Sequence, residues 1–480
     1  MLSNPDYIKE NLKQIGTKEG LILLRELIDS SNDPNIRKKS LTIYGTIDNC
    51  KNFKFLEQLF LSDEDPDIKL IAGNILRDKY SDYKKLVALL EYTLKKITNI
   101  DQKIYSINTL NSIDSFKTRK IIIEYLQDLI RKKFKDKIKQ VPDEIFSYNC
   151  NNPIPNIILE ICINFILADY YKNICGFLVT IRKGKIISLN CESSNIKNLK
   201  EIKGLSNLHN LEHLNMKRNS LRNCYNLHLF KNLKTLDLSK NKIEKLENLN
   251  NLYDLEVLDV SNNKIRIIEN LESLKKLKKL SLNNNLIKEI DNLNSLISLE
   301  DLNLSHNLIK IIRKLETLVN LKRLNLSFNH IEKIRGLGEL SNLLWLYLND
   351  NRVSQIEGLE TLDKLKGLYL SNNCIVRIEF LDNLINLKKL ELSNNKIKKL
   401  EGLDNLGELQ ELYLDGNNIE ELEGFDGLKS LIIFHIGRNN ISKFRNESIK
   451  NLTNLNFIFL NENPLDMKSW EQYKKRFRFP

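Results

Sequence analysis

One asparagine returns every 22 residues through the second part of this 480-residue chain, without slippage. The eleven positions in register are Asn219, Asn241, Asn263, Asn285, Asn307, Asn329, Asn351, Asn373, Asn395, Asn417 and Asn439. A displaced copy follows at Asn463, and a degenerate copy with Ser194 in place of asparagine comes first, which makes thirteen copies. A fixed period of this length predicts a repeat protein built by stacking one small unit on the next.

Each copy, written L-x-x-L-x-L-x-x-N-x-I, has two physical halves. Leu236 and Leu238 alternate with Asp237, so the leucines face one side of a short strand and the aspartate faces the other. After Asn241 the apolar residues come every third position, which fits 3₁₀ turns or coil. Because one copy cannot bury its leucines alone, the pattern predicts an α/β solenoid: a right-handed superhelix with a parallel concave sheet and a 3₁₀ or coil convex side.

The asparagines are expected to form a buried structural ladder. They stand where the chain turns away from the strand, so backbone amides and carbonyls need partners there. A side-chain amide both donates and accepts hydrogen bonds. We therefore expect each asparagine to satisfy backbone groups of its own coil and of the next one.

These leucines and asparagines resemble the leucine-rich repeats, specifically the 22-residue class found in a regulatory subunit of protein phosphatase 1 and in bacterial internalins. The resemblance covers about three fifths of the chain. It implies a non-catalytic protein that binds another protein on the concave sheet. It matches no coil of this chain to a particular coil of those proteins, so it implies no individual contact residue.

The first 140 residues follow a different pattern, with apolar residues at helical spacing and polar breaks between them. Two similar breaks, Asp33-Pro34 and Asp65-Pro66, lie 32 residues apart, and a weaker third copy starts near Asn99. Aspartate can cap a helix there and proline can fill its first turn. These openings resemble the HEAT-type helical repeat. The alternative is a simple helical cap.

The predicted organisation has four parts. They are an all-helical HEAT-like domain in residues 1–140, a linking helix with the N-terminal cap of the solenoid in 141–182, the repeats in 183–465 and a C-terminal cap in 466–480. In the last part Trp470, Tyr473 and Phe477 share one helix face and are expected to close the last coil.

The sequence favours a cytoplasmic protein. Its most apolar stretch, 154–181, is interrupted by Glu160 and Asp169, so it predicts a buried helix and not a membrane span. The N-terminus lacks the apolar run of a signal peptide. Seven cysteines at scattered spacings, with no C-x-x-C pair, favour a reducing compartment.

The chain carries a net charge of +12 and a basic run, Arg131–Lys139, with six basic residues in nine. Such a run can hold phosphate oxygens, which leaves nucleic-acid or anionic membrane-surface binding as an alternative function. However, lysine is abundant throughout with acidic residues interspersed, and no RNA- or DNA-reading motif accompanies the run. We therefore expect no nucleic-acid partner.

Residues with catalytic or metal-binding chemistry are dispersed. The six histidines fall in different coils, and none has a neighbouring cysteine or histidine at metal-ligand spacing. His306 and His330 stand beside the ladder asparagines and are expected to be solvated on the rim. The sequence predicts no metal, no cofactor and no enzyme activity of its own.

The candidate site lies on the concave face, where the outward strand residues change from polar to aromatic at the seventh coil. The predicted partner-binding residues are Trp345, Tyr347, Tyr369 and Tyr413 with Gly367, surrounded by a charged rim of Arg323, Lys366, Lys389, Glu391 and Glu411. Tryptophan and tyrosine dominate protein interfaces, and the buried leucines already supply the core. Gly367 is expected to leave a hollow beside the indole of Trp345.

The alternative is that the aromatic residues only pack against one another or under the C-terminal cap, which we favour for Phe457 and Phe459. The sequence as a whole predicts a protein-binding scaffold or adaptor. A regulatory subunit of a phosphatase or another enzyme is a further alternative, implied by the family resemblance.

Overall fold

The computed structural model describes residues 4–47, 52–80 and 83–477. The chain divides into two compact units. The first takes the chain up to Ile187 together with Lys203–Leu208, and the second takes Ser188–Ile202 and the chain from His209 onward. Each unit is described by itself below.

The first unit is built from helices, as the sequence predicts. Their bounds are α1 Pro5–Glu10, α2 Leu12–Ile15, α3 Thr17–Ser30, α4 Pro34–Ile47, α5 Phe53–Ser62, α6 Pro66–Lys79, α7 Tyr83–Lys96, α8 Ile100–Ile113, α9 Phe116–Lys133 and α10 Asn156–Tyr170. Helices α3 and α4 pack together as a pair, and so do α5 with α6 and α7 with α8.

The second helix of each pair begins at a polar residue that caps it. A side-chain oxygen accepts a hydrogen bond from a backbone N–H of the first turn, which otherwise has no partner within the helix. The bonds run from Asn35 N–H to Asp33 Oδ1 at 2.8 Å, from Asp67 N–H to Asp65 Oδ1 at 2.8 Å, and from Gln102 N–H to Asn99 Oδ1 at 3.1 Å. All three helix starts therefore use the breaks that the sequence shows.

Helix α10 is the apolar stretch noted in the sequence, and Cys162 and Phe165 on it are fully buried in the first unit. It continues into one π-helical turn, Tyr171–Cys175, and ends at Gly176 with a φ of 72°. Glycine adopts this left-handed conformation without a Cβ penalty. Within the described part of the chain, no helix combines the length and the apolarity needed to cross a membrane.

Two strands, β1 Leu178–Arg182 and β2 Lys185–Asn190, follow as hydrogen-bonded neighbours. Lys183 and Gly184 between them have φ values of 52° and 77°, the left-handed pair that a two-residue hairpin turn requires. Inside the first unit, Asn164 Oδ1 accepts a hydrogen bond of 2.8 Å from the Ile186 N–H.

The second unit is a parallel-sheet solenoid, which confirms the predicted fold class. After residues 188–190 of β2, twelve three-residue strands pair in chain order: β3 His213–Asn215, β4 Thr235–Asp237, β5 Val257–Asp259, β6 Lys279–Ser281, β7 Asp301–Asn303, β8 Arg323–Asn325, β9 Trp345–Tyr347, β10 Gly367–Tyr369, β11 Lys389–Glu391, β12 Glu411–Tyr413, β13 Ile433–His435 and β14 Phe457–Phe459.

The register follows the sequence period, and the central residues form one buried column. Leu346 of β9 stands beside Leu368 of β10, and both are completely buried. On the convex side the backbone makes tight turns, in which Leu340 N–H donates to Leu337 O at 2.9 Å and Leu343 N–H donates to Leu340 O at 2.8 Å. Bonds across three residues are those of 3₁₀ turns, which explains why the leucines there recur every third position.

The asparagines lie between the strands and these turns, and Asn329 shows their bonding. Its Nδ2 donates to Leu304 O and to Leu326 O, each at 3.0 Å, and its Oδ1 accepts from the Ile309 N–H at 3.0 Å. Leu304 and Ile309 belong to the preceding coil. The side chain of each asparagine therefore points back along the superhelix and bonds to its own coil and the preceding one. The sequence pattern had instead predicted bonds to its own coil and the next one.

Helix α11, Met467–Arg476, follows the last strand. Tyr473 is buried, and its hydroxyl donates to Ile458 O at 2.8 Å. The ring of Tyr473 meets Phe444 edge-on at 5.7 Å, and Ser469 Oγ accepts from the Phe444 N–H at 2.9 Å. The helix thus supplies hydrogen-bond and packing partners to the last coils.

Candidate functional site

The aromatic side chains of the candidate site project from one face of the sheet. Strand residues alternate between faces, so burying Leu346 and Leu368 in the core turns Trp345, Tyr347 and Tyr369 to the opposite, concave face. These three aromatic side chains are half-buried there. Trp345 pairs with Gly367 across the two strands, and Tyr347 pairs with Tyr369.

The six-membered ring of Trp345 lies against Gly367. A methyl group on the Cα of Gly367 would collide with Cε3 and Cζ3 of the indole and crowd Tyr369 Cε2 at 2.9 Å. The hollow expected beside the indole is therefore wrong, because the indole itself fills it. Covering the bare glycine backbone buries more of the ring than projecting into solvent would, so Gly367 positions the tryptophan.

The two tyrosines beside it form a parallel stack. The rings of Tyr347 and Tyr369 are 4.4 Å apart at 12°, and Trp345 lies tilted by 36° against Tyr369 at 6.5 Å. The guanidinium of Arg323 lies 5.6 Å from the ring of Tyr347. Burial, followed by the neighbouring Tyr347, raises the pKa of Tyr369 to about 12. The phenol of Tyr369 therefore stays neutral at physiological pH.

Lys389 occupies the next strand and joins the two halves of the patch. Its Nζ lies 3.1 Å from both Glu391 and Glu411, 5.8 Å from the ring of Tyr369 and 4.7 Å from the ring of Tyr413. Burial alone would lower the pKa of Lys389, but hydrogen bonds to Glu411 and Glu391 outweigh it and raise that pKa. These three charged residues thus form a closed network inside the patch, whereas the sequence analysis expected them in its rim.

A second aromatic stack begins at Tyr413. Its hydroxyl donates to Glu411 at 2.9 Å, and its ring stacks on His435 at 4.8 Å. His435 stacks in turn on Phe459 at 4.1 Å. Phe457 in turn stacks on Phe459 at 6.5 Å and 15°, so both phenylalanines pack against a neighbouring ring as expected, although Phe457 stays 56% exposed. Together the two stacks place aromatic rings on five of the six neighbouring strands β9 to β14, and Lys389 lies on the strand between the two stacks.

Comparison with known proteins agrees with this architecture. The family model described as "Leucine Rich repeats (2 copies)" matches residues 231–273, 254–295, 297–339, 341–383, 363–405 and 385–427. A leucine-rich-repeat protein of Leptospira interrogans is 30% identical, with a TM-score of 0.53 over 60% of this chain and 81% of that one. This chain belongs to the leucine-rich-repeat proteins.

A second solved structure supports the same assignment. An internalin of Listeria monocytogenes is similar to this leucine-rich-repeat protein at 26% identity, with a TM-score of 0.55 over 60% of this chain and 85% of that one. A search of curated protein sequences gave no match.

One aromatic pair at the edge of this leucine-rich-repeat sheet was not predicted. The rings of His306 and Phe328 stack at 4.0 Å and 9°, and Phe328 is 46% exposed. Both residues adopt left-handed backbone conformations, with φ values of 53° and 55°. The residue before each ladder asparagine must turn this way, and a bulky residue does so at an energetic cost. The sequence could have predicted this stack, because Phe328 follows His306 by one repeat and so stands beside it on the next coil.

The basic run in the helical unit is partly neutralised. Lys132 pairs with Asp128 at 2.9 Å, and Lys133 pairs with Asp169 at 2.7 Å. Lys137 lies 3.3 Å from its neighbour Asp136. Three of the six basic residues therefore have carboxylate partners inside this unit, which weakens the case for a phosphate site there.

The remaining chemistry of the leucine-rich-repeat protein is dispersed. Among the described residues, histidine, cysteine, aspartate and glutamate form no group of three that could hold a metal ion. Free cysteines in that part include Cys150, Cys162, Cys175, Cys224 and Cys374. Cys50 lies outside the described residues. Burial raises the pKa of the Cys162 and Cys224 thiols to about 12, so neither is poised as a nucleophile.

Proposed function

We propose that this leucine-rich-repeat protein is a non-catalytic scaffold or adaptor that binds a protein partner on its concave face. The observation that carries the proposal is the half-exposed aromatic surface of Trp345, Tyr347, Tyr369 and Tyr413 on a sheet whose core is filled by leucines. The fold does not need these rings, because the polar residues of the earlier coils stand at equivalent positions. Rings of this kind are the usual anchors of protein interfaces.

The order within the patch supports a binding role. Tyr347 and Tyr369 stack on each other, and Trp345 packs against Gly367. Few side-chain torsions therefore remain to be restricted when a partner docks. Each rotamer-rich side chain that is immobilised at an interface costs about 0.5–1.5 kcal/mol. A prearranged aromatic surface avoids most of that cost.

We also propose that the first unit is a HEAT-like domain and that the protein is cytoplasmic. The HEAT-like assignment is supported by three helix pairs whose second helices are capped by Asp33, Asp65 and Asn99. The cytoplasmic proposal is supported by the free thiols in the described part of the chain. A regulatory subunit of a phosphatase or another enzyme is the narrower form of the scaffold proposal, supported by the 22-residue repeat.

A site-specific photocrosslink tests the proposal. Tyr369 is replaced by p-benzoylphenylalanine in the full chain, and Tyr253, a tyrosine on a convex turn with 56% exposure, carries the same group in the control. In extract of the source cells we expect a protein adduct at Tyr369 and none at Tyr253. Added salt should weaken the labelling only in part, because the rings supply apolar contacts, whereas nucleic acid held by phosphate contacts would dissociate. Equal labelling at both positions would refute the proposed site.

A further inference from the structure

A column of charged residues runs beside the candidate site, formed by the residue just before each strand. Through six successive coils glutamate and lysine alternate in it: Glu212, Lys234, Glu256, Lys278, Glu300 and Lys322. Neighbouring parallel strands lie about 4.8 Å apart, so each residue of the column stands beside the next one. Alternation therefore brings opposite charges together at each step.

The alternation produces three ion pairs between neighbouring coils. The Nζ–Oε distances are 3.1 Å for Lys234–Glu212, 2.8 Å for Lys278–Glu256 and 2.8 Å for Lys322–Glu300. The hydrogen bond from Lys278 lowers the pKa of Glu256, and that from Lys322 lowers the pKa of Glu300. In these six coils each lysine of the column thus has a glutamate partner on the neighbouring coil.

The alternation stops where the aromatic patch starts. Leu344, just before β9, replaces the expected glutamate, and the next two residues of the column are Lys366 and Lys388. Both lysines are exposed, and the described residues offer neither of them a carboxylate within 4.0 Å. Arg323, one column inward, is exposed beside the ring of Tyr347. It stands opposite Asp301 of β7, but no carboxylate of the described residues lies within 4.0 Å of it.

Two like charges on adjacent coils repel each other, so the fold gains nothing from this pair of lysines. On the strands that follow, Glu391 and Glu411 are already held by Lys389. The lysine-rich composition explains lysines in general, but it does not explain why a column that is paired for six coils loses its acidic members beside Trp345. A partner that brings its own carboxylates would explain it.

We propose that the partner segment seated on this patch is acidic: a stretch of another protein rich in aspartate and glutamate, with an apolar side chain against the Tyr347–Tyr369 stack. Its carboxylates pair with Lys366, Lys388 and Arg323. Strands β8 to β11 span about 14 Å, which four or five extended residues cover. The inference rests on the proposed function, because it names the chemistry of the partner at the same site.

Selection from a library of random displayed peptides on the full chain tests the inference. Four proteins are compared: the unmodified chain, K366E/K388E, W345A/Y369A, and the control K234E/K278E, which makes the same charge change in the paired part of the column. We expect peptides enriched in aspartate, glutamate and apolar residues from the unmodified chain and the control. K366E/K388E should lose the acidic enrichment and keep the apolar one.

The affinity of one selected acidic peptide for the unmodified chain and for K366E/K388E is then measured. Charge reversal at both lysines should weaken its binding about tenfold or more, and added salt should weaken binding to the unmodified chain. Selected peptides that are apolar without acidic residues would overturn this inference and leave the proposed function standing. If the unmodified chain enriches nothing beyond W345A/Y369A, both the inference and the proposed function fail.

Discussion

Replacing Asn329 by alanine removes one step of the asparagine ladder at the middle of the stack. Asn329 is only 4% exposed, so water cannot replace the lost bonds without opening the coil. Among the described residues, Ile309 N–H has Asn329 Oδ1 as its sole hydrogen-bond acceptor. The substitution leaves that buried donor without a partner.

Asn329 Nδ2 also donates to three backbone carbonyls, and each of them keeps another hydrogen bond when Asn329 is lost. Leu304 O keeps a bond from Asn307 at 3.0 Å, Leu326 O keeps one from Asn351 at 3.0 Å, and Ser327 O keeps one from the His306 N–H at 2.9 Å. An orphaned buried donor costs about 1–3 kcal/mol, and weakening three shared carbonyl bonds adds a few tenths of a kcal/mol each. We therefore expect Asn329→Ala to lower the free energy of unfolding by about 2–3 kcal/mol.

His330→Ala is the matched control, because the residue is adjacent and its backbone N–H bond to Ile309 O remains. It should cost less than about 0.5 kcal/mol. Urea unfolding gives the change in stability, and hydrogen exchange of the Ile309 amide locates it, since a repeat array can open locally. If both variants lose equally little and Ile309 exchanges no faster in Asn329→Ala, the ladder does not stabilise the coils as argued.

Three further outcomes are expected. Gly367→Ala should displace the indole of Trp345, changing its fluorescence and weakening partner binding, and unchanged fluorescence would contradict the observed packing. Between pH 10 and 12 the folded chain keeps the Tyr369 proton that an unfolded chain loses, so unfolding free energy should fall as pH rises through this window. Tyr369→Phe should flatten that fall, and an identical pH profile in the variant would show that Tyr369 titrates normally. Elemental analysis of purified protein should find no stoichiometric zinc, and one equivalent would disprove the prediction.

Much of the solenoid could be predicted because its sequence repeats the same physical requirement. A leucine at the centre of each strand has to be buried, and an asparagine has to serve the turn beside it, so spacing alone predicts both the strands and their register. The helix starts at Asp33 and Asp65 were predictable for a similar reason, since a cap followed by proline has one favourable geometry.

The arrangement of the site could not be predicted, because it depends on how side chains relax on a surface. Spacing places Trp345 beside Gly367, but it does not show that the indole lies down on the glycine. Likewise, the repeat spacing places two glutamates and two tyrosines near Lys389. Only the structure shows that Lys389 contacts both glutamates and both tyrosine rings. Sequence periodicity thus predicts which residues are neighbours on the sheet, but not which contacts their side chains make.

Titration calorimetry of the captured protein partner, with the unmodified chain and with Trp345→Ala, decides whether the partner docks on the aromatic patch. Tyr253→Ala serves as the control, and urea unfolding of all three proteins is measured alongside. Because Trp345 lies on the concave face outside the leucine core, its truncation should weaken binding by about 2 kcal/mol or more while lowering stability by no more than about 1 kcal/mol. A large loss of stability with affinity intact would contradict the account, since the rings would then be packing residues and the partner would dock elsewhere.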